Sequence, residues 1–514
     1  METFVARQPI FDRRRDVYGY ELLFRSGADQ TCFDASDGTA ATRQVVSNTL
    51  FSLGLDRVLC GKRAFLNFDN TLLKEDLHRN FSRDDLVVEL LETISVDDEV
   101  IAACSRLQQD GFAVALDDFV VGSDAEVLLP FAKIIKVDVL STPRGQQEAL
   151  LRSRAWGHLT FLAEKVETHD DFEWTRHCGY DLFQGHFFEK PATLTGKDLS
   201  SVKLACLELL REVAAAEIDC KQTATIIERD VALSYRLLSY VNSALFGLRK
   251  RVDSIEHAVA LLGASGLRPW AAVAAIPTLA ADKPAELAVQ ALVRAQFADR
   301  VGKLAGVFEE GAAFLIGLFS HLDAMLNLPL GEAVSKAGMS PHLAAVLLDE
   351  DTGLTTLKEV YALVRNYELG QWSAVAEIAA RVNVNMDEIG RAYTESTFWT
   401  AQALHWTNRR KDHRSRRRQN LAGTLKVLCE DDNGRQQIFN ASLQNISETG
   451  MQLRVTEKIA PRSTILCNDA KLKIAGRGVV RYCNPAQGRY LVGVDFSGGT
   501  GWRDPLDRRL QRAG

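Results

Sequence analysis

Apolar and polar positions along the chain follow three different rhythms. From residue 1 to 198, short β-branched and aromatic runs recur with helical patterns between them: FVARQPIFD, VYGYELLFR, RAFLNFD, LVVELLE, FAVALDDF, IIKVDV, LTFLAEKV and LFQGHFF. Strand then helix, repeated, predicts a parallel sheet with helical crossovers, and eight strands predict a closed α/β barrel. The first two runs lie close together, which predicts a hairpin. From 199 to 405 the texture is Ala, Leu and Val at helical spacing, as in SSVKLACLELLREVAAA and TTLKEVYALVRNYELG, broken by short Gly, Pro or Asn stops. This predicts an all-α domain. From 406 to 514 an arginine-rich linker leads into GTLKVLCE, RQQIFNASLQ, GMQLRV, LKIAGRGVVRYC and RYLVGVDF. Short strands split by turn residues predict a small all-β barrel or sandwich. The expected architecture is therefore multidomain, with boundaries 1–198, 199–405 and 406–514.

Composition narrows the class. Of 514 residues, 46% are hydrophobic and 25% charged, the mixture of an ordinary globular protein, which excludes disordered and collagen-like chains. The longest apolar stretch, Trp270 to Ala281, is shorter than the about 20 residues a bilayer needs, and the start METFVARQPIFDRRR has no long apolar run. A cytoplasmic protein with no membrane partner is expected. The nine cysteines form no CxxC pair, so buried thiols are expected rather than a disulfide framework or a zinc ribbon. A net charge of -6 makes nucleic acid an unlikely general partner.

In the first region, polar residues interrupt apolar strands near their C-terminal ends. Glu21 follows VYGY, Asn67 follows AFL, Glu89 follows LVV, Asp117 and Asp118 follow AVAL, and Glu164 follows LTFLA; Lys136 lies inside IIKVDV. A barrel delivers such residues to one mouth. Converging carboxylates and an amide oxygen suit a hard divalent cation, Mg2+ or Mn2+, and two such ions are a standard device for attack of water on a phosphodiester. Taken singly, each acid reads as a helix cap or a solvated strand end. Six at matched positions do not.

These residues resemble the EAL domain, a family of cyclic di-GMP phosphodiesterases with a TIM-like barrel. The EALxR signature reads ELLFR at Glu21 to Arg25, after QPI at Gln8 to Ile10; FLNF holds Asn67, and ExxE is Glu89 to Glu92. DDF is Asp117 to Phe119, KxD is Lys136 to Asp138, AEKVE holds Glu164 to Glu167, and QG is Gln184 and Gly185. The resemblance implies that Glu21, Asn67, Glu89, Asp117 and Asp118 hold metal. It implies that Lys136 orients the attacking water, that Glu164, Gln184 and Glu92 complete the catalytic set, and that Gln8 and Arg25 hold the dinucleotide. Two departures stand out. The segment after DDF reads VVGSDAEV where the family is rich in Gly and Ser, and Lys165 takes the place of the glycine in AEGVE, a cation placed to pair with Glu164. Hydrolysis to pGpG and binding without turnover are both open readings.

The helical region resembles the HDOD domain through VNSALFG at Val241 to Gly247, SIEHAVALLG at Ser254 to Gly263 and GLFSHLDAML at Gly317 to Leu326. No His-Asp dipeptide occurs there, which leaves His257, His321 and His342 as isolated surface or satisfied core histidines. The resemblance implies an interaction or regulatory module with an unknown protein partner; a homo-oligomer is compatible with it.

Seven basic residues, Arg409, Arg410, Lys411, Arg414, Arg416, Arg417 and Arg418, fall within ten positions. A solvated linker, a nucleic-acid patch and a phosphate-ligand site compete as readings. No aromatics are interleaved to stack bases. About 30 residues on, NISETG is expected to form a turn carrying Asn445, Ser447 and Gly450. An RxxxR run before such a motif resembles the PilZ domain, a cyclic di-GMP receptor. Arg410 to Arg414 and Arg414 to Arg418 both fit its spacing, and the resemblance implies that these arginines grip phosphate and that Asn445, Ser447 and Gly450 contact the base.

Overall fold

The computed structural model describes residues 3–26, 59, 61–74, 77–152, 158–191, 200–215, 217–242, 251–350, 353–412, 423–430, 436–447, 450–457, 459, 463–469, 474–486 and 489–495. It divides into two compact units, Met1–Thr407 and Asn408–Gly514. The expected barrel and helical regions pack together in the first.

Among the described residues of the first unit, eight strands close into a barrel: β1 (Thr3–Asp12), β2 (Val17–Ser26), β3 (Arg63–Phe68), β4 (Leu86–Leu90), β5 (Ala113–Leu116), β6 (Ile134–Asp138), β7 (Thr160–Glu164) and β8 (Leu182–Gln184). The hairpin is present, with β1 antiparallel to β2 and also to β8; the remaining neighbours run parallel. Alternation along each strand sorts its side chains to two faces. Leu66, Val88, Leu116, Val137, Ala163 and Phe183 join the large core shared with the surrounding helices. The opposite face contributes Ile10, Phe65, Val87, Ala115, Ile134, Leu162 and Leu182, a separate apolar cluster. At Gly19 a Cβ would stand 2.8 Å from the Phe65 ring, so glycine makes room for that ring. Helix ends follow local chemistry: Asp97 caps Asp98–Asp110, and Thr168 with Asp171 forms a capping box on His169–Cys178.

The helical part runs from Ser201–Ala214 to Met386–Asp412. Its apolar centre is longer than the run Trp270 to Ala281 implied. The helix Ile255–Leu279 has 25 residues, with a kink at Gly263 (φ +61°) that joins two helical stretches. By length and hydropathy it would cross a membrane, but 61% of its most apolar window is buried within the protein. The next helix, Ala285–Leu304, is buried nearly all round.

In the second unit, β9 (Gly423–Glu430), β10 (Gln436–Ser447), β11 (Gly450–Val455), β12 (Thr464–Asp469), β13 (Ile474–Ala486) and β14 (Arg489–Asp495) close into a barrel in the order β10-β11-β14-β13-β12-β9. Leu425, Val427, Ala441, Leu443, Leu453, Ile465, Val492 and Val494 fill it. The strand TILCND was not expected from the sequence.

Candidate functional site

Two residues beyond the apolar cluster, each barrel strand places a polar side chain on the same face. Phe65 is followed at this spacing by Asn67, Val87 by Glu89, Ala115 by Asp117, Ile134 by Lys136, Leu162 by Glu164 and Leu182 by Gln184. On β2 Gly19 leads to Glu21. On the antiparallel β1 the step runs backward, from Ile10 to Gln8. A period-two strand thus converts an apolar floor into a polar layer with one residue from every strand.

Lys136 holds the centre of that layer and is fully buried. Its Nζ lies 2.8 Å from Asp117 Oδ1, 2.9 Å from Glu164 Oε1, 3.0 Å from Glu89 Oε1 and 3.6 Å from Glu21 Oε2. Burial works against the ammonium charge, but the four carboxylates outweigh it and hold the Lys136 pKa well above the ordinary value. The acids are pushed the other way. Burial, with Glu21, Asp117 and Glu164 adding to it against Lys136, raises Glu89 well above the carboxylate range. Burial, countered by Lys136 but reinforced by Asp117 and Glu21, lifts Glu164 to about 8. Gln184 Nε2 donates to Glu21 Oε2 at 2.7 Å and to Gln8 Oε1 at 3.0 Å, and Asn67 Nδ2 donates to Glu21 Oε1 at 3.4 Å.

One lysine does not balance four carboxylates. Asn67 Oδ1, Glu89 Oε2 and Gln184 Oε1 are buried without a hydrogen-bond partner, and Glu89 Oε1 has only its ion pair with Lys136. Buried oxygens left over beside excess negative charge fit a hard divalent cation, which takes oxygen ligands. Among the described residues, no three Asp, Glu, His or Cys already cage an ion; the carboxylates turn toward Lys136 Nζ instead. The fit lies in donor chemistry, and cation binding requires carboxylates to turn from the ammonium.

Family models match the chain in three successive segments: the EAL domain at residues 2–191, the HDOD domain at 199–340 and the PilZ domain at 408–501. The chain is 32% identical over 401 residues to the Vibrio cholerae protein named cyclic di-GMP phosphodiesterase CdgJ, covering 77% of this chain and 92% of that one. It is 31% identical over 407 residues to uncharacterized protein YuxH of Bacillus subtilis, covering 78% of this chain and 98% of that one. The chain belongs to the EAL–HDOD family, with a PilZ domain following. Among solved structures, a standalone EAL protein from Vibrio cholerae O395 in its c-di-GMP bound form is similar over 37% of this chain and 92% of that chain, at 24% identity and TM-score 0.30.

The remaining EAL-domain residues fall outside the central layer. Asp118 is exposed, at φ +42°, and is not among the ion-pair partners of Lys136; partial burial and the Asp117 charge raise its carboxyl. Glu92 lies exposed in the turn after β4. Arg25 pairs by its backbone with Phe4, and its side chain lies outside the described residues. Lys165 corrects an expectation. Its Nζ pairs with Asp138 Oδ2 at 2.5 Å rather than with Glu164. The backbone at Lys165 has φ +55°, the left-handed region, which explains why a glycine suits this position in the family pattern.

In the HDOD domain, residues 243–250, most of VNSALFG, lie outside the described residues. His257 is exposed, and His342 is exposed beside Glu309 at 3.3 Å. His321 departs from the expectation of a satisfied core histidine: it is 2% exposed and its Nε2 has no hydrogen-bond partner.

In the PilZ domain the NISETG segment is not simply a turn. Asn445 and Ser447 lie on β10, Gly450 opens β11 opposite Ser447, and 448–449 are outside the described residues. A bulge between Leu443 and Asn445 sets Asn445 opposite Gln452, and its Nδ2 donates to Gln452 Oε1 at 2.8 Å. The arginine run is helical at its start, since Met386–Asp412 continues through Arg410. Arg414 and Arg418 lie outside the described residues.

Proposed function

We propose that this chain is a cyclic di-GMP signalling protein whose EAL barrel binds the dinucleotide over the polar layer and hydrolyses it to pGpG, with Mg2+ or Mn2+ as cofactor. The observation that carries this reading is the layer itself: eight strands, each giving one polar residue at one level, with buried oxygens unpartnered. Glu21, Asn67, Glu89, Asp117 and Asp118 would hold the cation. A bound cation supplies charge neutralisation and a nucleophilic water at neutral pH.

The chain's own residues supply the rest. Lys136 Nζ draws Glu21, Glu89, Asp117 and Glu164 onto one point, so the carboxylates converge before any cation arrives. In hydrolysis a water oxygen bonds to phosphorus, the ribose oxygen leaves, and the water's proton needs an acceptor. Glu164, whose carboxyl is lifted to about 8 and is therefore mostly protonated at neutrality, is suited to give its proton to the leaving ribose oxygen and to be reprotonated by the attacking water, so that the proton balance closes. Gln184 links Gln8 to Glu21 and ties the dinucleotide-holding strand β1 to the carboxylate layer. The PilZ domain, through Arg410, Arg414, Arg418, Asn445, Ser447 and Gly450, binds the same dinucleotide as a sensor. The HDOD domain is the interaction and regulatory module, and the functional boundaries are 1–198, 199–405 and 406–514.

A second reading, binding without turnover, has one observation in its favour: the carboxylates pair with Lys136, and among the described residues no ready cage is formed. One assay separates the two. Full-length protein with Mn2+ or Mg2+ and cyclic di-GMP is expected to release pGpG, and Asp117→Ala is expected to abolish it. Calorimetric binding with no product supports the silent scaffold. Absence of both ends the proposal.

A further inference from the structure

The polar layer has an outer side, and a helix of the HDOD-containing region is fastened to it. In the β1–β2 ribbon, Gln8 pairs with Glu21, and their chain neighbours Arg7 and Tyr20 face the other way. Both neighbours converge on one carboxylate. Tyr20 Oη donates to Glu286 Oε2 at 2.8 Å, Arg7 Nη2 lies 3.8 Å from Glu286 Oε1, and the Arg7 guanidinium stacks 4.3 Å over the Tyr20 ring. Glu286 is 3% exposed and sits in the first turn of the helix Ala285–Leu304, where the free backbone N–H groups favour a negative charge.

The same helix reaches the other edge of the site. Arg294, two turns on, lies 3.7 Å from Glu189 Oε2 and 2.6 Å from Glu368 Oε2. Glu189 also accepts from His186 at 2.9 Å, which secures the segment leaving Gln184. That segment has little freedom: Gly185 has φ +143°, and a Cβ there would stand 2.2 Å from Val166 O. Arg7, Gln8, Gln184, Gly185, Glu286 and Arg294 border one cavity of about 50 Å³, which has room for a few waters between the two domains.

We propose that Glu286 is a positioning residue for the EAL site. From outside the barrel it fixes the two strands whose inner faces carry Gln8 and Glu21, and with Arg294 it makes the helix Ala285–Leu304 the element through which the helical domain sets the geometry of the cation ligands. The functional consequence rests on the proposed reading of the layer as a cation site; the fastening itself does not. The route lies within one compact unit, Met1–Thr407. A partner that shifts this helix would act on Glu21 and Gln8 through their chain neighbours Tyr20 and Arg7.

The test uses full-length protein, with Mn2+ as the probe. In Glu286→Ala, hydrogen exchange read by mass spectrometry is expected to rise about fivefold or more in residues 5–11 and 18–23 and to stay near the wild-type rate in residues 86–90 and 134–138. Calorimetric Mn2+ affinity is expected to fall about tenfold, the loss typical of groups that orient metal ligands. Glu286→Gln, which keeps an acceptor for Tyr20, is expected to recover most of that loss. Arg381→Ala, an exposed residue paired with the half-buried Glu359, is the control in the same domain. Unchanged exchange at 5–11 and 18–23 overturns the inference. So does a lowered melting temperature with Mn2+ affinity intact, which is what a merely structural pair would give. A wild-type chain that takes up no Mn2+ overturns the cation reading of the layer instead, and the exchange comparison still decides whether Glu286 fastens the two strands.

Discussion

Lys136 Nζ stands 2.8 Å from Asp117 Oδ1, fully buried, at the point where four carboxylates of the barrel meet. Removing the cation from such a cluster leaves buried negative charge uncompensated, which costs about 3 to 5 kcal/mol in comparable pairs. Lys136→Met is therefore expected to lower the stability of the first unit by about that amount in metal-free buffer. The loss has a definite pH sign. Glu89 and Glu164 already sit above the ordinary carboxylate range, and without Lys136 they rise further. A raised folded value is tolerated at low pH, where the group is protonated, and costs stability as pH rises through it. The variant should be closer to wild type at pH 6 than at pH 8. Urea unfolding at both values checks this, and an equal deficit at the two would sink it.

The pair between Lys165 and Asp138 separates two accounts of the altered AEKVE motif. Burial pushes the Asp138 carboxyl up, but the bond from Lys165 and the amides of Ser141 and Leu140 outweigh it and hold it below the usual range. Asp138 then contributes stability that is present above the ordinary carboxylate value and lost as pH falls through its lowered one. Lys165→Gly removes that contribution and relieves a left-handed backbone at φ +55°, two small opposing effects. Because Lys165 is tied to Asp138, the substitution is expected to leave Mn2+ affinity within about threefold of wild type, less than loss of a ligand-orienting group gives. A tenfold gain in calorimetry would show instead that Lys165 competes with the cation.

Arg414 belongs to both possible spacings of the RxxxR motif, so its removal tests the PilZ reading without first settling the register. A charge-assisted phosphate contact supports a loss of about 2 kcal/mol, or roughly thirtyfold in dissociation constant, for Arg414→Ala. Arg410→Ala and Arg418→Ala should then differ, and whichever matches Arg414→Ala identifies the partner arginine. Asn445 already spends one of its two Nδ2 hydrogens on Gln452 Oε1, leaving one N–H and Oδ1 for a base. Asn445→Ala should cost less than the arginine, about fivefold. Calorimetry with cyclic di-GMP measures all four, and an Arg414→Ala protein that binds like wild type removes the arginine run from the site.

What the sequence displayed and what it hid divide along physical lines. The eight strands were legible because each is a short apolar run bounded by turns, and Glu21, Asn67, Glu89, Asp117 and Glu164 stood out as polar breaks in those runs. That they and Lys136 share one mouth was legible too, but not that Lys136 Nζ pairs with Glu21, Glu89, Asp117 and Glu164, since distances across a barrel are not written in any one strand. β12 was missed because TILCND ends in Asn and Asp, residues that signal turns. Glu286 and Arg294 were invisible for a different reason. On the Ala285–Leu304 helix they look like ordinary polar positions, and only the packing of that helix on β1 and the exit of β8 makes them buried partners of Arg7, Tyr20 and Glu189.

His321 offers a test of the helical domain that is independent of any ligand. Burial first, and the nearby Arg294 charge second, push its imidazole down to about 3, with Glu189 opposing. The unfolded chain takes up that proton near 6.5, so between about pH 6.5 and 3 the unfolded state binds more protons than the folded one, and stability falls as pH drops, by about 1.4 kcal/mol per unit below 6. His321→Leu removes the titrating group and its unpartnered Nε2 at similar volume. At pH 7.5 the variant should lie within about 1 kcal/mol of wild type, the usual range for a volume-conserving core change. At pH 5 it should be the more stable protein by about 1 to 2 kcal/mol, because wild type alone resists the proton its unfolded state accepts. Melting temperatures at pH 7.5, 6 and 5 decide it: parallel decline of the two proteins means that His321 is protonated in the folded chain and that the buried neutral imidazole is wrong.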